Sequence, residues 1–266
     1  MKTAFKISVS FGFLLSAILL TSFISREDKT KETEATSENA SEQNGFALVE
    51  LFTSEGCSSC PPADELVARV QEENAGKPVY ILAYHVDYWD FQGWRDVFSN
   101  QDFTKRQYQY ASWLKTESVY TPQIVVNGKQ EFVGSEQTSL KNAINEGLES
   151  SASAKLSLDA TAGKNKIAVH YQTDQVRKNV ILQLALVQKI AQTTVKRGEN
   201  AGRQLSHVQI VHQLQSQSIQ ATGAGDAEVS IPVGFDTKNW ELIGFLQNKR
   251  NGEVLATAKP AFKENI

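Results

Sequence analysis

The sequence contains two cysteines, Cys57 and Cys60, and they form a single Cys-x-x-Cys. The apolar run Phe46-Ala47-Leu48-Val49-Glu50-Leu51-Phe52 leads up to them, and Pro61-Pro62 follows directly. This arrangement constrains the fold more than any other feature of the chain. Cysteines this close cannot staple distant segments together, so a framework of structural disulfides is excluded and stability has to come from an ordinary core. The pair is then redox-active, metal-binding or incidental. With 266 residues, 41% hydrophobic and 21% charged, the chain is long enough for one large or two ordinary domains and apolar enough to bury a core. Its net charge of −3 provides no basic excess to neutralise phosphates, so no nucleic-acid partner is expected.

Residues 45–150 alternate strand-like and helix-like patterns. Phe46–Phe52 reads as a strand buried on both faces. Leu66, Val67 and Val70 have helical spacing within Ala63–Glu73, and Val79–Val86 is a second buried strand. Asn100–Leu114 reads as a helix carrying Phe103, Tyr110 and Trp113. Gln123–Asn127 is a third strand, turned by Asn127-Gly128 into Glu131-Phe132-Val133. Leu140, Ile144 and Leu148 then repeat at helical spacing. This order matches a thioredoxin core. Residues 151–266 change rhythm. Lys155–Asp159 and Lys166–Tyr171 alternate with period two, and further strand-like runs lie at Val180–Val187, Leu205–Leu214, Glu228–Val233, Leu242–Gln247 and Val254–Ala258. The expected fold is an α/β thioredoxin-like domain followed by an all-β sandwich-like domain.

Lys2 and Lys6 precede an apolar run over residues 7–24, so residues 1–25 read as a signal peptide or a membrane anchor. Phe23 is large for a signal-peptidase recognition position, which keeps an uncleaved tether through residues 7–24 open. Residues 26–44 are almost wholly polar and cannot bury enough surface to offset ordering entropy; they read as a disordered linker. The expected location is the periplasm or beyond the cell, free or held at the inner membrane by the N-terminal segment.

A Cys-x-x-Cys where a strand runs into a helix has a defined chemistry. The helix N-terminus favours an anion, the thiolate is the nucleophile, and a second thiol one turn along resolves the mixed disulfide. Cys57 is therefore expected at the exposed tip of the helix as attacking sulfur, with Cys60 resolving. Zinc ordinarily takes four ligands, and no second pair exists to complete such a site. His207 and His212, five apart on one strand, are expected to face opposite sides and not to share a metal. His85, Asp87 and Trp89 follow the second strand, where ligands gather in open α/β sheets, and are candidate substrate-binding residues. Trp89 and Trp94 have a packing role as their alternative. Arg197-Gly198-Glu199-Asn200 with Arg203 reads as a turn held by an Arg–Glu pair, or as an interface.

The segments VELFTSEGCSSCPPAD, AYHVDYWD, SVYTPQIVVNG and VKRGENAGRQLSHVQIV resemble a bacterial family of exported thioredoxin-like proteins known only as a domain of unknown function. The resemblance runs from about Ala47 to the C-terminus. It implies a thioredoxin fold with a dithiol site whose disulfide joins Cys57 and Cys60. Thioredoxin-like proteins more broadly place a cis-proline opposite the cysteines, which here matches Pro122 after Thr121, so Pro122 and the Thr121 backbone are expected to position the substrate; the alternative is an ordinary trans proline at the start of a strand. Glu50 matches, offset by one residue in the loop, the buried acid that exchanges a proton with the resolving cysteine; its alternative is a salt-bridged or solvated position at the sheet edge.

The leading expectation is an exported thiol–disulfide oxidoreductase acting on protein thiols or disulfides with a redox partner. No dissociable cofactor is needed, because the electrons reside on the two sulfurs. The alternatives are a non-catalytic protein- or ligand-binding module with residual cysteines, and a metal carrier.

Overall fold

A computed structural model describes residues 45–264. The expected signal or anchor (1–25) and linker (26–44) lie outside the described residues. The first half supplies β1 (Ala47–Thr53), α1 (Pro61–Glu73), β2 (Val79–His85), a 3-10 turn (Asp90–Gln92), α2 (Gln101–Leu114), β3 (Gln123–Val126), β4 (Gln130–Val133) and α3 (Gln137–Glu149). Strands only follow: β5 (Leu156–Ala162), β6 (Lys166–Thr173), β7 (Val180–Thr194), β8 (Gln204–Ser218), β9 (Ala224–Ser230), β10 (Trp240–Asn248), β11 (Val254–Ala258) and β12 (Phe262–Glu264). The described chain is a mixed α/β structure of two sheets and three α-helices, in which strands predominate.

The local elements follow their sequence signals. Pro61 and Pro62 open α1, where no intrahelical donor is required, and Cys60 is its N-cap residue. Asn100 caps α2 by accepting from the Asp102 N–H. Asn127 and Gly128 both have positive φ, 52° and 66°, as a two-residue hairpin turn between β3 and β4 requires. Burial alternates strictly along β6, with Ile167, Val169 and Tyr171 inside.

The larger sheet has eight strands in the order β11-β10-β7-β8-β2-β1-β3-β4. β1 and β2 are parallel, while β3 and β4 run antiparallel to their neighbours. A short parallel pairing at Ala83 and Ile210 joins β2 to β8. The sheet thus runs through the boundary expected near residue 150, with β7, β8, β10 and β11 extending the sheet of the first half. β12, β5, β6 and β9 form the second sheet.

Strand alternation sends each side chain to one of three cores. Ala47, Val49 and Leu51 of β1 meet Ala63, Leu66, Val67 and Val70 of α1 and Leu140 and Ile144 of α3. Leu48 and Phe52 point the other way, into a layer with Phe103 and Tyr110 of α2 and with Ala185, Val187, Ile243 and Phe245 of β7 and β10. The remaining face of β7 and β10, carrying Leu182, Leu184, Leu186, Leu242 and Leu246, packs on Ile167, Val169, Tyr171 and Val229 of the second sheet. The second sheet thus packs on one face of the long sheet that both halves share. α2 covers the sheet face opposite α1 and α3.

Candidate functional site

The Cys57–Cys60 pair lies at disulfide-bonding distance, with a Cα–Cα separation of 5.4 Å. The turn between strand and helix is built by hydrogen bonds from Cys57 N–H to Ser54 O (3.2 Å) and from Cys60 N–H to Cys57 O (3.2 Å). The Cys60 carbonyl then accepts from Ala63 and Asp64 as α1 begins. Ser58 and Ser59 project into solvent, whereas Cys57 and Cys60 are 0% exposed. This corrects the expectation of an exposed Cys57: its sulfur is covered by its surroundings.

The cover comes from sequence-distant segments. Asn200, in the loop between β7 and β8, donates through Nδ2 to Glu55 O and to Cys57 O, each at 2.9 Å. Its neighbour Glu199 accepts from the Ser58 N–H at 3.0 Å. The Ser58 hydroxyl and N–H hold the Glu199 carboxyl below its usual range. Arg203 donates to Asn200 Oδ1 at 2.9 Å. The polar motif of residues 197–203 is thus an interface with the cysteine loop, and Glu199 bonds to Ser58 where an Arg–Glu pair was expected. Gly56 is tightly packed, since a Cβ there would lie 3.0 Å from Trp89 Cβ and 3.3 Å from Trp89 O.

Thr121–Pro122 is a cis peptide beside the cysteine turn. Ser59 Oγ donates to Thr121 O at 3.5 Å, and Trp89 Nε1 donates to Thr121 Oγ1 at 2.7 Å. Pro122 also lies close to the first turn of α1: a Cβ built on Gly134 would fall 2.9 Å from Pro122 Cβ and 3.1 Å from Ala63 Cβ. The structure therefore brings together Cys57, Cys60, Trp89, Thr121 and Pro122.

Three other expected residues sit elsewhere. Glu50 is fully buried on the α2 side of β1, where Arg106 grips it through Nε at 2.6 Å and Nη2 at 3.0 Å, and Tyr110 donates to it. Arg106 also bonds Gln247 Oε1 at 3.1 Å. This corrects the assignment of Glu50 as proton partner of Cys60: strand alternation directs it away from α1, and an ion pair within the sheet, not at its edge, occupies both its oxygens. Asp87 is engaged by Thr104, whose hydroxyl donates to Oδ1 at 2.5 Å. His85 is fully buried, with Nδ1 2.6 Å from Asp96 Oδ2, so it presents no surface to a substrate and belongs to a buried polar cluster.

That cluster was not foreseen. Glu55, Asp64, His85, Asp96 and His207 are all buried, each at most 6% exposed. Asp96 accepts from the Glu55 N–H at 2.8 Å, and Trp94 Nε1 donates to Glu55 Oε2 at 2.6 Å. Burial alone would raise the Asp96 pKa, but His85 and the N–H groups of Glu55 and Phe98 hold its carboxyl below the usual range. His207 is flanked at 3.7 Å by Glu55 Oε1 and at 3.7 Å by Asp64 Oδ1. Burial pulls its pKa down, yet Asp64 and Glu55 outweigh this and raise it to about 9. His207 and His212 both pack against Phe98, with ring centroids 5.8 Å away in each case. The two histidines thus share a side, contrary to expectation. β8 carries a positive φ at Gln209 and a register shift opposite Leu186/Val187, and these irregularities reset its alternation. Among the described residues, no group of three or more His, Cys, Asp or Glu is placed to hold a metal ion. The sequence signal available for the cluster was the set of acids flanking the cysteines, Glu55 and Asp64, together with the histidines.

The molecule is thus a mixed α/β protein with a covered Cys-x-x-Cys disulfide at the junction of β1 and α1. The chain belongs to the family described as Protein of unknown function (DUF1223), which matches residues 48–247. No curated protein matches the sequence. A crystal structure of a protein from Agrobacterium tumefaciens is similar with a TM-score of 0.64 at 24% identity, covering 84% of this chain and 98% of that one. This likeness concerns the fold. A domain of the outer membrane lipoprotein Omp28 from Porphyromonas gingivalis aligns over 43% of this chain and 92% of its own, at 14% identity and a TM-score of 0.29, too low to bear on the fold.

Proposed function

We propose that this protein is an exported thiol–disulfide oxidoreductase of thioredoxin-like architecture that cycles Cys57 and Cys60 between disulfide and dithiol. The observation that carries the reading is the meeting of a Cys-x-x-Cys at the start of α1 with the cis Thr121–Pro122 peptide, linked through Ser59. The strand order β2-β1-β3-β4, with α1 and α3 on one face and α2 on the other, supports it, since a thioredoxin core has this arrangement. On this reading residues 45–150 are the thioredoxin-like part and residues 151–266 the β-rich part, which contributes the cover over the disulfide. Cys57 receives the attacking thiolate, Cys60 leaves and resolves, and the backbone at Thr121 and Pro122 aligns the partner chain. Trp89 holds Thr121 in place. Protein thiols or disulfides are the substrates. The periplasm, or the outer face of the inner membrane through residues 7–24, is the compartment in which such a couple operates.

The complete burial of both cysteines favours a second reading, a binding module whose disulfide is inert. A redox titration of the purified protein against a dithiol buffer, combined with exchange on a peptide disulfide, separates the two. The oxidoreductase reading requires a reversible two-electron couple and turnover that disappears in a Cys57→Ser, Cys60→Ser variant. A disulfide that neither reduces nor exchanges in the folded protein rejects it.

A further inference from the structure

Four buried side-chain atoms in the polar cluster have no hydrogen-bond partner: Glu55 Oε1, His85 Nε2, His207 Nδ1 and His207 Nε2. Buried polar atoms are nearly always satisfied, so such a concentration calls for a reason. His207 stands midway between two carboxylates, at 3.7 Å from each. That is ion-pair range, and a separation at which a bridging water serves better than a direct hydrogen bond. The two carboxylates flank the redox pair in sequence. Glu55 lies just ahead of Cys57, in the loop pinned by Asn200. Asp64 lies one helical turn beyond Cys60, on the same face of α1, with its N–H bonded to the Cys60 carbonyl at 3.2 Å. Both cysteines are closed off from solvent, so a sulfur released there has no bulk water from which to take a proton.

Resting on the oxidoreductase reading, we propose that His207, held between Glu55 and Asp64, is the proton reservoir of the Cys57–Cys60 couple. A substrate thiolate attacks Cys57 Sγ. A new sulfur–sulfur bond forms, the Cys57–Cys60 bond breaks, and its electron pair goes to Cys60 Sγ. The His207 imidazolium gives a proton, by way of Asp64, to that sulfur, leaving a Cys60 thiol and a neutral ring. A second substrate thiolate then displaces Cys57, so two thiols are oxidised to one disulfide while the pair is reduced. In the opposite direction Cys60 returns its proton to His207 as the disulfide re-forms. The groups that face His207 are Glu55 from the loop after β1, Asp64 from α1, His85 from β2 with ring centroids 4.9 Å apart, and Asp96 from the segment before α2. His85 is tied to Asp96, and the Phe98 ring packs edge-on against His207. With its pKa raised to about 9, the ring carries a proton at neutral pH and has one to give.

The test is an NMR titration of the His207 ring in the full chain, once oxidised and once reduced, run beside the redox titration. A His207→Gln variant, checked by thermal melting, is assayed for its rate of reduction by a small dithiol. The expected result is a His207 pKa that differs by about one pH unit or more between the two redox states. The variant should be reduced about tenfold more slowly or worse. The same ring pKa in both states overturns the reservoir, while leaving the oxidoreductase reading intact if the couple still cycles. An unchanged rate in a folded variant does the same. A couple that does not cycle overturns both. If the variant does not fold, the titration of the natural protein decides.

Discussion

Asn200 donates to the main-chain carbonyls of Glu55 and Cys57, at 2.9 Å each, from 143 residues beyond the cysteine. One buried amide thus stitches the β7–β8 loop to the turn that holds the disulfide. Removing it by Asn200→Ala orphans two carbonyls in a dry site and should cost about 2–4 kcal/mol. Chemical denaturation measures this. The same substitution loosens the cover, so the disulfide should be reduced faster by a small dithiol than in the natural protein.

Glu199 puts a carboxylate on the Ser58 N–H, one residue from Cys57. A negative charge there opposes a thiolate on Cys57. Glu199→Gln can still accept the hydrogen bond but carries no charge. The Cys57 thiol in the reduced variant should therefore titrate about half a pH unit to one unit lower. Ultraviolet absorbance of the thiolate against pH reports this directly.

Glu50 and Arg106 form a buried pair whose oxygens and guanidinium are further held by Tyr110 and Gln247. Removing one partner leaves an uncompensated charge, so Arg106→Met should lose about 3–5 kcal/mol. Because the pair lies on the sheet face away from α1, the midpoint potential of Cys57–Cys60 should not move. A potential shifted in a folded Arg106→Met variant contradicts this separation of the two faces.

Stability should pass through a maximum near neutral pH. His207 has its pKa raised from 6.5 to about 9, so the folded state holds an extra proton between these values. That contribution is complete below pH 6.5 and is lost as pH rises through about 9. His212 is lowered from 6.5 to about 4, by burial first and then by His85, so the unfolded chain holds the extra proton. Its neutral burial favours folding above pH 6.5 and loses that advantage as pH falls toward 4. Asp96, with its pKa lowered, adds to the acid limb, since its contribution fades as pH drops through its folded value. Melting temperature against pH checks both limbs. His207→Gln should flatten the alkaline one, and His212→Gln the acid one.

The disulfide closes a loop of very few residues, so reduction releases little chain entropy. The loop-closure relation gives about 2 kcal/mol for a ring this small. Thermal melts of oxidised and reduced protein should differ by a few degrees only, and the reduced protein should remain folded. Unfolding on reduction would point to a structural disulfide.

Local chemistry was legible in the sequence. The hairpin at Asn127-Gly128 follows from two positive φ angles that few residue pairs accept, and the start of α1 follows from Pro61-Pro62. The strands of both halves follow from runs of apolar residues or from period-two alternation. The Cys-x-x-Cys at the junction of β1 and α1 was readable for the same reason, since turn, cap and cysteines are neighbours along the chain. These determinants act within a few residues, where covalent geometry and local hydrogen bonding decide.

The tertiary structure decided what those elements meet. Sequence spacing cannot tell that β8 pairs with β2 and makes one sheet of both halves, because a strand edge carries the same backbone donors whichever neighbour it finds. Nor can it tell that Glu50 faces Arg106 while Glu55 and Asp64 converge on His207, since the carboxylates are chemically alike and only strand alternation and packing assign their partners. The positive φ at Gln209 and the one-residue register shift opposite Leu186/Val187, at His212, bring His207 and His212 to one side, and a single-residue slip reverses every face beyond it. The burial of Cys57 beneath Asn200 and Glu199 depends on that same long-range closure.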